Sequence, residues 1–170
     1  MRLPLYQVDA FADRVFTGNP AAVVPLEHWL PDATLQAIAS ENNLAETAFF
    51  VREESGYRLR WFTPTVEVDL CGHATVATAH VLFEALGVPG DVLRFQTRSG
   101  EVSVTRAGRR LTLDFPSHPA AALSDSEPLL RALGLTRATF AGQAAFQLVV
   151  VESEEQVAAL APDQQALLRA

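Results

Sequence analysis

Short stretches with alternating apolar and polar positions dominate the first two thirds of the chain and predict a sheet. Strands are expected at residues 4–11, 21–26, 46–53, 56–63, 92–97, 101–106 and 109–115. The segment FTGNP, residues 16–20, is expected to form a tight turn, because Gly18 permits positive φ and Asn19 can hydrogen-bond its own backbone. A helix is expected at residues 32–42, where apolar residues recur on one face.

The segment HATVATAHVLFEALG, residues 73–87, has apolar residues around nearly its whole circumference. A helix that is apolar on every side is a buried helix, and its many alanines allow neighbouring backbone to come close. Gly87 and Pro89 mark its end. The pattern therefore predicts an α+β fold, in which a curled mixed or antiparallel sheet wraps around one central buried helix.

The composition of the chain changes near residue 117. Residues 118–127, which are rich in Pro, Ser and Ala, are expected to link an N-terminal lobe, residues 1–117, to a partial C-terminal lobe, residues 128–170. The partial lobe contains a short predicted helix at residues 128–135 and one clear strand at 145–151, followed by acidic segments. One strand cannot form a sheet alone, so we expect one complete lobe and the start of a second, similar one.

Composition excludes several kinds of chemistry. The 13 basic residues against 20 acidic ones give a net charge of -7, which disfavours nucleic acid as a partner. All 13 basic residues are arginine, so Schiff-base catalysis and a lysine-bearing phosphate loop are excluded. The single cysteine, Cys71, excludes an internal disulfide and a multi-cysteine metal site.

The sequence also lacks signals for a membrane span, for secretion, for a metal site and for a cofactor. No apolar run reaches the length of a membrane span, and the first residues lack the apolar stretch of a secretion signal. We therefore expect a cytoplasmic protein without a membrane partner. His28, His80 and His118 show no ligand spacing with a carboxylate, and no GxGxxG or GxSxG motif occurs, so no metal site and no cofactor are expected.

Glu46, in the segment NLAETAFF, is the first candidate for chemistry. It stands where a helix region gives way to an apolar strand. Desolvation by the apolar residues that follow would raise the pKa of a carboxyl group toward neutrality, and such a group can both take and give a proton. The alternative interpretation of the same position is a surface glutamate at a strand edge.

The segment DLCGHAT, residues 69–75, is the second candidate, because it places Cys71, Gly72 and His73 at the start of the buried helix. The free N–H groups and the dipole of a helix start attract a carboxylate or phosphate. His73 could donate a hydrogen bond, and Cys71 could act as a thiolate, since a helix N-terminus lowers a thiol pKa. A capping turn with a small buried cysteine is the structural alternative. The turn at Asn19 is a third, weaker candidate for binding a polar ligand.

Four segments together resemble the PhzF-like, or phenazine biosynthesis-like, isomerase family, in the order and spacing of that family. They are VDAFADRVFTGNPAAVV, NLAETAFF, RWFTPTVEVDLCGHATVATAHVLF and LTLDFP. The tail FQLVVVESEEQVAALAPDQQALL is similar to the opening of that family's second lobe. The resemblance implies a diaminopimelate epimerase-like fold, in which two lobes each wrap a sheet around a helix and the active site lies between them.

The resemblance also implies an activity and the residues that perform it. It implies a cofactor-independent isomerisation in which Glu46 abstracts a proton from carbon and returns it elsewhere. The substrate would be a small metabolite that bears a carboxylate, and in the leading hypothesis it is cyclic. Backbone amides at Gly72 and Ala74 would hold its carboxylate. His73 would line the substrate pocket, and Asn19 would lie at its wall.

Two features depart from the family pattern. Its members are expected to be about twice as long, with an aspartate from the second lobe facing the glutamate. The chain is therefore expected to be a fragment or a natural half-protein, completed by a homo-oligomer such as a dimer or by a missing C-terminal half. In addition, Ala45 stands where relatives often carry Ser before the glutamate.

Two alternatives to the leading hypothesis remain open at this point. The first is an epimerase or racemase that uses Cys71 as its base. The second is a non-catalytic half-protein that acts as a binding or assembly module. The apolar strand expected at residues 145–151 would promote self-association if nothing covers it.

Overall fold

A computed structural model describes residues 2–14 and 16–169. The chain divides into two compact units, residues 1–116 and residues 117–170. The elements of the first unit are β1 (Tyr6–Ala10), β2 (Asn19–Leu26), α1 (Asp32–Asn42), β3 (Glu46–Glu53), β4 (Gly56–Phe62), β5 (Glu67–Val68), α2 (Gly72–His80), β6 (Val92–Thr97), β7 (Gly100–Ala107) and β8 (Arg110–Asp114).

The strands of the first unit form one mixed sheet. Their order is β1-β2-β3-β4-β6-β7-β8, and β5 pairs with β4. The pairs β2–β3 and β4–β6 are parallel, whereas the other pairs are antiparallel. Strands β1 and β8 stand at opposite ends of this order, yet both contact α2. The sheet therefore curls around that helix, which confirms the predicted α+β architecture.

Helix α2 lies in the main hydrophobic core, on the concave face of the sheet. Its residues Ala74, Ala77 and Ala79 are 0% exposed. The small side chains let the strands approach the helix closely, as the sequence pattern predicted. A π-helical turn, Val81–Ala85, extends α2, and the Leu86 N–H donates to the Val81 carbonyl at 2.9 Å. Burial ends within this turn, because residues 84–87 are exposed.

Helix α1 covers the opposite face of the sheet. It packs Leu35 and Ala39 against Phe49 and Phe62 in a second, smaller core. Arg60 of β4 supports this layer, because its guanidinium pairs with carboxylates and stacks on aromatic rings. Its partners are Asp32 at 2.9 Å, Glu67 at 2.7 Å, and the rings of Trp29 and Phe62.

The second unit contains a small sheet and three short helices within its described residues. Its elements are β9 (Ala121–Ala122), α3 (Glu127–Ala132), β10 (Phe140–Gln143), β11 (Gln147–Val150), α4 (Glu154–Ala158) and α5 (Gln164–Leu167). The sheet order is β11-β10-β9.

Three details of the predicted element pattern are wrong, and the first is that the short strand β5 was not expected. The tail was expected to hold one strand, but β10 and β9 pair beside β11, and β9 lies within the expected linker, residues 118–127. The segment FAGQ of β10 is too short and too weakly alternating to signal a strand. In the first unit, Asn19 and Pro20 belong to β2 rather than to the predicted turn, since they pair with Ala10 and Asp9 of β1.

Candidate active site

The candidate site lies where the start of strand β3 meets the start of helix α2. Glu46 is the first residue of β3 and pairs in parallel register with Ala21 of β2. Alternate residues of a strand share a face, so Glu46 lies on the same face as Ala48 and Phe50, which pack in the core around α2. The alternation of the strand therefore directs the carboxylate of Glu46 toward α2.

Three side chains with different chemistry meet at this point. Glu46 Oε2 lies 3.1 Å from His73 Nε2, and Cys71 Sγ lies 3.4 Å from His73 Nδ1. The side chains of Glu46 and His73 are 19% and 9% exposed, and Cys71 is 7% exposed. The fold thus brings Glu46 into contact with two residues that follow it by more than twenty positions in the sequence.

The first turn of α2 supplies hydrogen-bond donors to the same place. Cys71 occupies the position before the helix, and its side chain does not cap the helix in the usual way. The N–H groups of His73 and Ala74 instead approach the Cys71 sulfur. The whole Ala74 residue is 0% exposed, so its N–H faces the buried Cys71 sulfur rather than open solvent. Free N–H groups at a helix start form a local site for negative charge.

The Cys71 thiol is neutral at physiological pH. Burial is the largest cause that raises the pKa of Cys71, to about 12; the Glu46 carboxylate also raises this pKa, whereas the N–H groups of Ala74 and His73 lower it. The N–H groups of the helix start do lower this pKa, as expected, but they do not outweigh burial, so the expectation of a thiolate is wrong. Desolvation outweighs the helix dipole here because the side chain is almost fully buried.

Gly72 leaves the start of α2 uncovered by a side chain. A Cβ added to Gly72 would lie 3.6 Å from the Phe115 ring and 3.9 Å from Leu113, which is ordinary contact. Neither steric crowding nor a left-handed backbone therefore requires glycine at this position. A ligand that approaches the helix N–H groups would gain from the absent side chain.

The other expected site residues lie in less defined surroundings. Asn19 is exposed on β2, two residues before the partner of Glu46 and on the same face of the sheet. Ala45, the position of the expected family serine, is also exposed. His28 and His118 are exposed and do not join the group around Glu46.

The first unit also contains a groove that was not predicted from the sequence. Its volume is about 760 Å³, and its lining includes the loop after β1, one face of α2 and the start of β8. Glu46, Cys71 and His73 do not line it. Its charged and polar residues are Gln7, Asp9, Asp13, Arg14, His80 and Arg109. No local motif predicts it, because it forms only when the two ends of the curled sheet approach the same helix.

Comparisons with known proteins place the chain in a family. Residues 8–170 match the family model of the phenazine biosynthesis-like protein. An uncharacterized isomerase from Pseudomonas aeruginosa is 57% identical over 163 residues, which are 96% of this chain and 62% of the relative. The crystal structure of a phenazine biosynthesis protein of the PhzF family from Enterococcus faecalis superposes with a TM-score of 0.89, at 48% identity, over 98% of this chain and 64% of that one.

A more distant structure shares the fold alone. A hydroxyproline epimerase from Agrobacterium vitis superposes with a TM-score of 0.52 at 12% identity, over 92% of this chain and 53% of that one. This likeness agrees with the epimerase-like fold that the sequence implied. Within the described residues, no helix is both long and apolar enough to span a lipid bilayer.

The chain spans somewhat less than two thirds of the length of the first relatives, 62% and 65%. The expected ratio of one half was therefore too small. The shared segments nevertheless extend over almost all of this chain, and they include the surroundings of Glu46 and His73. The chain therefore belongs to the phenazine biosynthesis-like protein family.

Proposed function

We propose that the first unit carries the proton-transferring half of a cofactor-independent isomerase site, with Glu46 as its acid and base. The observation that carries this proposal is the 3.1 Å approach of Glu46 Oε2 to His73 Nε2 at the start of α2. The approach places the Glu46 carboxylate, which can accept a proton, beside the hydrogen-bond donors of the α2 start, which can stabilise negative charge. The names of the relatives as isomerases support the same reaction class.

The reaction would begin with the Glu46 carboxylate accepting a proton from a substrate carbon next to a carbonyl or a conjugated ring. The electron pair of the broken C–H bond would move into that conjugated system. Glu46 would then deliver a proton to a different carbon, so that no cofactor and no net proton is needed. Because the proton of a carboxyl group exchanges with solvent while the site is open, part of the product carries a hydrogen from the solvent. A carboxyl group can perform both steps because it is a base before the first transfer and an acid after it.

The helix start would stabilise the charge that develops in this reaction. N–H groups that already point at the site need no reorganisation when negative charge appears. We propose that the backbone of Gly72, His73 and Ala74 holds the substrate carboxylate and that His73 donates a hydrogen bond to it. The low exposure of Glu46 and His73, 19% and 9%, limits competition by water.

The substrate would be a small metabolite that bears a carboxylate. Asn19 would contact it from the end of β2, since Asn19 shares the face and the sheet end of Glu46. We propose that a further lobe, from a longer chain or from a second copy in a homo-oligomer, provides the other wall of the site. The length of the relatives supports such a lobe.

The thiol-based alternative is less favoured because the Cys71 thiol keeps its proton at neutral pH. Cys71 lies beside His73, as a thiol base would need, but burial raises its pKa to about 12. A thiol that remains protonated is a poor base at neutral pH. The binding-module alternative predicts no proton exchange in any variant.

Hydrogen exchange into carboxylate metabolites tests the proposal. A bacterial metabolite extract is incubated with the protein in D₂O, and carboxylates that gain one mass unit are identified by mass spectrometry. Glu46→Gln should lower the exchange rate by about a hundredfold or more, the usual loss for a general base. Cys71→Ala should retain most of the rate, and the exposed Glu41→Gln serves as the matched control.

Other patterns would contradict the proposal. Exchange that survives in Glu46→Gln and disappears only in Cys71→Ala would identify the thiol as the base. Absence of exchange with the unmodified protein, alone and joined to a C-terminal lobe of a relative, would support the binding module instead.

A further inference from the structure

The contact between Glu46, Cys71 and His73 also has the composition of a metal site. One potential ligand atom from each residue lies within 4.8 Å of the other two. Thiolate, imidazole and carboxylate are the three side-chain ligands that zinc prefers in proteins. The sequence excluded a site with several cysteines, but it gave no sign that one cysteine, one histidine and one glutamate converge.

A second observation points to a missing ligand at the same place. His73 is 9% exposed, and its Nε2 atom is buried without a hydrogen-bond partner among the described residues. Glu46 Oε2 lies 3.1 Å from Nε2, so a carboxylate oxygen is the potential ligand atom next to this nitrogen. Buried polar atoms are almost always partnered, so an unsatisfied nitrogen next to a carboxylate requires an explanation.

We propose that Glu46, Cys71 and His73 bind one divalent cation of the zinc class. The ligands would be Cys71 Sγ, a ring nitrogen of His73 and one carboxylate oxygen of Glu46, with a fourth position open to water. Coordination would release the thiol proton to solvent, because the thiolate is the ligand form. The two negative ligands would neutralise the charge of the cation, which favours its burial.

The distances allow such a site once one side chain changes its rotamer. Ligand atoms around tetrahedral zinc lie roughly 3.3–3.6 Å apart, as follows from metal–ligand bonds of about 2.0–2.3 Å. The observed separations, 3.1 Å between Nε2 and Oε2 and 3.4 Å between Sγ and Nδ1, involve different nitrogens of the ring. A single cation would take only one of these nitrogens, so the residue next to the other nitrogen, Glu46 or Cys71, would have to change its rotamer; the three potential ligand atoms start within 4.8 Å of one another.

Binding of a cation would also regulate the proposed isomerase. It would occupy the carboxylate of Glu46 and prevent that group from accepting a proton. Micromolar zinc should then inhibit the exchange reaction in competition with the substrate. This consequence rests on the proposed function, whereas the binding of the cation does not.

Titration with Co²⁺ tests the metal site directly. Cobalt replaces zinc in such sites, and a bound thiolate gives a charge-transfer band in the near ultraviolet. The unmodified chain should show this band, and Cys71→Ser should lose it. Glu46→Gln should keep the band but weaken Co²⁺ binding by more than about tenfold, since even loss of an outer-shell partner costs that much. His80→Gln, an exposed histidine outside the cluster, is the control and should bind as the unmodified chain does.

The outcomes separate the two proposals. Absence of the band with the unmodified chain at millimolar Co²⁺, or a band that survives in Cys71→Ser, would overturn the metal site. Circular dichroism checks that each variant is folded, and the isosteric Glu46→Gln keeps the test valid if Cys71→Ser is unstable. A cobalt band without any hydrogen exchange would support the metal site and reject the isomerase. Hydrogen exchange without a cobalt band would support the isomerase and reject the metal site.

Discussion

At the scale of single residues, the position of Glu46 could be predicted, but its neighbours could not. A glutamate at the start of an apolar strand is visible in the sequence, and so is a cysteine, glycine and histidine at a helix start. Their meeting depends on β3 pairing with β2 in parallel register and on α2 crossing the same sheet end. No local pattern carries that information. The sequence also left two interpretations of Cys71 open, a thiolate and a small buried cysteine, and packing across the fold produces the second.

The raised pKa of Cys71 predicts a slow reaction with alkylating reagents. At pH 8 the folded chain should react with iodoacetamide at least about a hundredfold more slowly than the chain in urea, because almost no thiolate is present and the sulfur is buried. The rate is measured by mass spectrometry of the alkylated chain. Equal rates in the folded and unfolded states would contradict the assigned environment.

The same shift fixes the sign of a stability change with pH. The folded state holds the Cys71 proton up to a pKa of about 12, whereas the ordinary value is 9.0, so the folded state binds more protons above pH 9. The free energy of unfolding should therefore decrease between pH 9 and pH 12 in the unmodified chain relative to Cys71→Ser. Urea titrations of both chains at pH 8 and pH 10.5 provide the comparison.

At the scale of elements, long patterns were reliable and short ones were not. Helix α2 lies in a long segment that is apolar on nearly every side, and all the strands of the first unit except the two-residue β5 span five or more residues, so their types could be predicted. The π-helical turn after His80 could not, because it changes hydrogen bonding without changing the apolar pattern. Strand β10 was missed because four residues with a glycine among them cannot establish an alternation.

The close packing of α2 predicts a strong dependence on side-chain size. Ala79→Leu adds volume at a position that is 0% exposed, so it should lower the free energy of unfolding by about 1–3 kcal/mol. Ala85→Leu is the matched control, because it makes the same change at an exposed residue of the adjoining π-helical turn. Urea denaturation followed by circular dichroism measures both. Similar losses at the two positions would mean that the helix is not enclosed as described.

At the scale of the whole molecule, the family could be predicted because several ordinary segments occur together in one order. None of the segments is specific alone, but their combination extends over almost the full chain, as the family match over residues 8–170 confirms. The sequence was less informative about the lobe boundaries, which remain a prediction. The boundary between the two compact units lies between residues 116 and 117, and β9 begins four residues later, at Ala121.

The sheet of the second unit predicts self-association. Strand β11 is an outer strand of that sheet, and Phe146, Leu148 and Val150 at or beside it are 86%, 48% and 40% exposed. An apolar strand at a sheet edge offers unpaired backbone groups to another copy, so the chain should form dimers or larger species as its concentration rises. Sedimentation velocity over a hundredfold range of concentration measures the change.

Leu148→Lys should weaken association by about tenfold or more, because a charge at the edge opposes strand pairing. Val157→Lys is the control, since it places the same charge on an exposed residue of α4, outside the sheet. A chain that stays monomeric throughout, or equal effects of the two lysines, would show that β11 does not mediate contact between copies.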